Sequence, residues 1–71
     1  MMNSITINPE ILGGTPVFIG TRVPIRILFE YLESGDSLGD FLDEFPSVSK
    51  ELAVATLEQA FTSVTTHARP T

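Results

Sequence analysis

Between Ile25 and Phe45 the chain repeats one spacing twice. Ile25, Leu28, Phe29 and Leu32 stand at i, i+3, i+4 and i+7, and Leu38, Phe41, Leu42 and Phe45 repeat the pattern. Each set gathers along one side of a helix that turns every 3.6 residues. Pro24 suits the first position of the first helix, and Gly35 closes that helix as a left-handed cap. Ser37 reads as the N-cap of the second helix, with Asp40 three positions on in a capping-box arrangement, and Pro46 ends it. Ser49 is a further N-cap candidate. The third helix carries Ala53, Leu57, Ala60 and Val64 on one stripe, with Val54 and Phe61 flanking it. Thr62, Val64, Thr65 and Thr66 weaken its end, so residues 65–71 are expected to fray.

Upstream the period changes from 3.6 to 2. Ser4 to Asn8 alternates polar and apolar, with Ile5 and Ile7 on one face of a half-buried strand, and Asn8-Pro9 breaks it. Glu10 to Leu12 suggests a single turn before Gly13-Gly14. Val17, Phe18 and Ile19 suit a second strand, and Gly20-Thr21 fits a two-residue hairpin loop with glycine first. Arg22 and Val23 then return, and Pro24, with no N–H to donate, ends the pairing. The expected fold is mainly α: a three-helix, helix-turn-helix-like module with a small N-terminal β hairpin. Residues 1–71 make one domain.

Seventy-one residues bury a modest core, about 60% of the surface that the unfolded chain exposes. Small domains gain stability from disulfides, metals or association. The chain has no cysteine and one histidine, His67, which removes disulfides and makes a zinc site a poor reading. No cofactor is expected. Association remains, and 42% apolar residues leave material for an interface. Val17, Phe18 and Ile19 cannot all face the helices, so the β segments are expected to pair or pack across a homodimer. No apolar window approaches about 18 residues, so a soluble, cytoplasmic protein is expected.

The net charge of −5 is uneven. Residues 36–51 hold Asp36, Asp40, Asp43, Glu44 and Glu51 against Lys50, a net −4. Such a block points to a basic protein partner before nucleic acid. Asp40, Asp43 and Glu44 share one helix face opposite the apolar stripe, and no histidine joins them as a catalytic or metal constellation would require. A solvated or partner-docking face is the reading, and no enzyme is expected. Arg22, Arg26 and Lys50 are the candidate DNA contacts, Lys50 being at the first turn of the would-be recognition helix. Each has a plainer reading: Arg22 as a salt bridge locking the hairpin onto the helices, Arg26 as the partner of Glu30, Lys50 as a surface lysine. The Gly13-Gly14-Thr15 loop lacks the lysine and spacing of a phosphate-binding loop. Gly13, Gly14, Gly20, Thr21 and Pro24 are therefore structural turn residues.

The run from Pro9 to Pro24, with Gly-Thr-Pro-Val and Gly-Thr-Arg-Val-Pro, closely resembles the opening of the prokaryotic family catalogued as domain of unknown function 433. The Gly-Asp-Ser-Leu turn, the short acidic helix ending in Phe45-Pro46 and Val48-Ser49 extend the resemblance over roughly residues 5–62. The resemblance implies a homeodomain-like or winged-helix-like fold. It also implies a VapB-type antitoxin that binds a PIN-like ribonuclease toxin and, as a dimer, its own operator DNA. The acidic face of the second helix is then the expected toxin contact. The alternative is a stand-alone helix-turn-helix transcriptional regulator.

Overall fold

The computed structural model describes residues 5–67. Two short strands, β1 (Ile5–Thr6) and β2 (Val17–Phe18), precede three helices, α1 (Ile25–Glu33), α2 (Leu38–Glu44) and α3 (Lys50–His67). This is the expected mainly helical module with a small antiparallel β element, and α2, a turn and α3 follow in helix-turn-helix order.

β1 and β2 pair with Ile5 opposite Phe18 and Thr6 opposite Val17. The far side of β2 takes the returning chain. Phe18 N–H donates to the Val23 carbonyl at 3.0 Å, Ile25 N–H donates to that of Pro16 at 3.0 Å, and Val17 bridges Pro24. The expected return strand is thus a single bridge, and β2 lies in the middle. The turn is displaced by one residue from the expected Gly20-Thr21 loop. Thr21 N–H donates to the Phe18 carbonyl at 3.0 Å, which makes Ile19 and Gly20 the central pair. Gly20, at φ +77°, supplies the positive φ that the third position of a type II turn demands. Thr21 then clamps the turn, its hydroxyl donating to the Phe18 carbonyl at 2.9 Å and accepting from Val23 N–H at 3.0 Å. Pro24 stands at the N-cap of α1, one position before its expected place.

β1 is shorter than expected, and Ser4 lies outside the described residues. Asn8 turns the chain at once, accepting from Glu10 N–H on its side chain at 2.9 Å and from Ile11 N–H on its carbonyl at 2.8 Å. Ile7, expected beside Ile5 on the buried face, is therefore exposed. The single turn forms at Leu12–Gly14 instead of Glu10 to Leu12, and takes in Gly13 and Gly14.

The helix ends follow local chemistry. Gly35, at φ +90°, completes a Schellman closure of α1: Asp36 N–H donates to the Tyr31 carbonyl at 2.9 Å and Gly35 N–H to that of Leu32 at 3.1 Å. Ser37 and Asp40 form the reciprocal capping box of α2, both bonds at 3.0 Å. Ser49 caps α3 by accepting from Leu52 N–H at 3.0 Å. α3 continues helical through Thr65 and Thr66 to His67, and residues 68–71 lie outside the described residues.

Phe18, Leu28, Phe41, Val48 and Ala53 form the buried cluster. α2 presents its stripe as expected, with Leu38, Leu42 and Phe45 packed around Phe41. α1 is rotated from its expected face: Leu28 points inward with Ile27 and Tyr31 beside it, while Leu32 lies at the surface. α3 buries Ala53 and Thr56, whereas Val64 and Phe61 are exposed. Thr56 tolerates burial because its hydroxyl donates to the Leu52 carbonyl at 3.0 Å.

Phe41 is the hub. Its ring lies 5.8 Å from Phe18, 5.7 Å from Tyr31 and 5.1 Å from Phe45, centroid to centroid. The Tyr31 contact is edge-on, the favourable orientation for two quadrupoles. Phe41→Ala should therefore remove about 3–5 kcal/mol, half or more of what a domain of this size has. Urea unfolding followed by circular dichroism checks this, and a loss below about 1 kcal/mol would contradict the hub assignment.

Candidate partner-docking surface

The packing that buries Phe41 turns the opposite face of α2 outward, and that face is carboxylate-lined. Asp40, Asp43 and Glu44 are all exposed, as is Asp36 in the turn that precedes α2. They are not equivalent. Asp40 belongs to the capping box, and as an acidic side chain in the first turn it also suits the positive end of the helix dipole. Asp43 and Glu44 occupy the last turn, where the dipole disfavours negative charge by about 0.3–1 kcal/mol each. No basic residue occupies that last turn, and no described cation forms an ion pair with either carboxylate. These two side chains weaken the helix they sit on.

Tyr31 stands at the inner edge of the same surface. Its ring packs edge-on against Phe41 and also against Phe45, the latter at 6.0 Å. Its phenol is pushed above its ordinary value of 10.0, first by desolvation and then by the negative charges of Glu44, Asp36 and Asp40. A half-buried aromatic side chain with a polar tip, set among carboxylates, has the composition of a docking anchor for a cationic surface. Sequence reading passed over Tyr31 because the i, i+3, i+4, i+7 count favoured Leu32. The available signal was the three-residue step from Leu28 to Tyr31.

The three candidate DNA contacts are all exposed. Arg26 pairs with Glu30 at 3.3 Å, as expected, with both side chains more than half exposed, so the pair adds little to stability. Arg22 is exposed and makes no ion pair with any described residue. The expected lock of the hairpin by its guanidinium is therefore absent, and the Thr21 hydroxyl bonds take that role. Lys50 is exposed at the start of α3, also without an ion pair among the described residues.

Elsewhere the surface offers shallow apolar relief. A cleft of about 320 Å³ between β1, α1 and α3 is lined by Ile5, Ile25, Phe29, Gln59 and Ala60 among others, with no titratable side chain. Among the described residues no group of three His, Cys, Asp or Glu side chains is placed to hold a metal ion. No described helix is long and apolar enough to cross a membrane.

The sequence profile of a family described as "Protein of unknown function (DUF433)" matches residues 5–60, close to the expected span of roughly residues 5–62. Among curated proteins, the chain is 43% identical over 47 residues to the uncharacterized protein y4eO of Sinorhizobium fredii (strain NBRC 101917 / NGR234). That alignment covers 66% of this chain and 21% of the relative, so the chain spans about a fifth of that protein's length. No solved structure matches this chain.

The raised phenol has a direct consequence. Tyr31 is the only tyrosine and there is no tryptophan, so its ultraviolet titration is uncontaminated. The phenolate should appear above pH 10, and added salt should bring the midpoint down by screening the carboxylates. Because the folded value is raised, the unfolded chain releases its proton first. The stability this group contributes is full below pH 10 and is lost as pH rises through the folded value. A midpoint at or below 10 would contradict this placement of Tyr31.

Proposed function

The chain belongs to the DUF433 family, and from that premise we propose that it is an antitoxin-like binding protein that neutralises a PIN-like ribonuclease. The observation that carries the reading is the pair Asp43 and Glu44, held exposed on a helix end that they destabilise. Side chains kept against local stability are characteristic of surfaces that serve a partner. A nuclease binds RNA phosphates with a basic surface, and the α2 face offers it carboxylates in their place. Asp36, Asp43 and Glu44 would steer and orient the encounter, and Tyr31 would be the ring that desolvates against it. Inhibition is then steric and electrostatic, with substrate excluded and no bond made or broken.

Autoregulation by operator binding is a secondary part of this proposal. The same carboxylates would face phosphates if α2 crossed a DNA backbone, which weakens binding. One observation favours the rival reading, a stand-alone helix-turn-helix regulator. Lys50 is exposed, without an ion pair among the described residues, at the N-terminal turn of α3, the place from which a recognition helix reaches base edges.

The test is a charge reversal that leaves Asp40 in place, since loss of the capping box costs about 1 kcal/mol and would confuse the result. The double variant Asp43→Lys, Glu44→Lys should be at least as stable as the parent, because cations suit a helix C-terminus. Against a PIN-like ribonuclease that the parent is expected to inhibit, it should fail to suppress RNA cleavage. Full suppression by the variant would contradict the proposal. Sequence-specific retardation of its own upstream DNA by the chain alone, with no nuclease complex, would favour the regulator.

A further inference from the structure

Two shallow clefts meet over the start of α1. One, of about 310 Å³, is lined by Thr15, Pro16 and Arg26. The other, of about 320 Å³, reaches Ile5 and Ala60. Ile25 and Phe29, one turn apart on α1, line both, so the two clefts are ends of one trough. Ile25 N–H donates to the Pro16 carbonyl at 3.0 Å, which ties the residues before β2 to the helix and fixes the trough before anything binds. Arg26 is the one charged side chain among the described residues that line it, and no carboxylate lines it.

Charge along the chain singles out the same region. Residues 11–29 contain Arg22 and Arg26 and no carboxylate, a net +2, while the remainder of the chain carries −7. A negatively charged partner is opposed by most of this molecule and least by this segment. Arg26 also displays the group it accepts. Its guanidinium holds the Glu30 carboxylate by one contact of 3.3 Å, with both side chains more than half exposed. A pair of that kind is held weakly, and its carboxylate can be exchanged for another. We infer that the trough is a docking groove for an acidic, apolar segment of a partner protein. Apolar side chains of that segment lie on Ile25 and Phe29, and one of its carboxylates takes the place of Glu30 on Arg26. Nucleic acid would meet a single cation in an otherwise uncharged lining, and a basic segment would meet no carboxylate there. The groove takes a partner segment opposite in charge to the one proposed for α2, and it stands independently of the antitoxin reading.

Selection of random peptides on the immobilised full chain tests this. Peptides that combine Asp or Glu with Leu, Ile or Phe should be enriched, and in chemical-shift mapping they should perturb residues 15–29 and 56–63. Absence of such peptides, or perturbations confined to other residues, would overturn the inference. Arg26→Glu should weaken binding of a selected peptide about tenfold. Glu30→Gln removes the internal competitor and should tighten it. Both residues are exposed, so both variants should keep the helical spectrum and unfolding midpoint of the parent. Lys50→Glu makes the same change in net charge outside the groove and should alter affinity by less than about threefold. An equal loss in Lys50→Glu and Arg26→Glu would overturn the groove, because net charge alone would then explain binding. Unchanged or weaker binding by Glu30→Gln would overturn the exchange at Arg26.

Discussion

Phe41 is the one ring that touches a strand and both of the first two helices. Phe18 reaches it from β2, Tyr31 from α1 and Phe45 from the end of its own helix. The strands of this chain are two residues long and α2 has seven, too short for any of them to persist alone. β2 and α2 meet at that ring through Phe18 and Phe45, and β1 is held by pairing with β2. The hairpin turn, the Schellman closure of α1 and the capping box of α2 are all devices that bring a covering residue to the correct distance. The residues spent on turn geometry at the front of the chain thus serve an interior that lies mostly behind them.

Placing Phe41 inward, with Leu38 and Leu42 packed beside it, leaves the opposite face of α2 to solvent. On a seven-residue helix the outward face is small, and here three of its positions are carboxylates. One of them, Asp40, works for the fold. The other two oppose it, because they sit at the wrong end of the dipole. That division separates side chains that a folding argument explains from side chains that it does not. It makes Asp43 and Glu44, with Tyr31 beside them, the side chains on which the proposed docking rests.

What was legible in the sequence was what local chemistry decides. Ser37, Ser49 and Gly35 announce helix ends because their hydrogen bonds reach at most five residues along the chain, and all three behave as read. The α2 stripe was legible for the same reason. Illegible features depend on pairing across distance. β2 takes β1 on one side and residues 23–25 on the other, and that double demand shifts the turn to Ile19-Gly20. The choice of Tyr31 over Leu32 on α1 is set by the ring of Phe41 ten residues later. Thr56 is buried although polar, since helical backbone satisfies its hydroxyl. Phe61 and Val64 continue an apolar stripe that would be core if the domain were larger, but the body ends before they do. The carboxylates of the proposed docking face were legible in the sequence, whereas the aromatic side chain among them needed the fold to reveal it.

The account stands on one claim, that the outer face of α2 with Tyr31 is where a basic partner docks. Amide chemical-shift mapping of the isotope-labelled chain during titration with a purified, catalytically inactivated PIN-like ribonuclease tests that claim most directly. The account predicts that the perturbed amides cluster at Tyr31 and across residues 36–44. Perturbations confined to the 19–26 hairpin segment or to α3, with residues 36–44 unmoved, would contradict it.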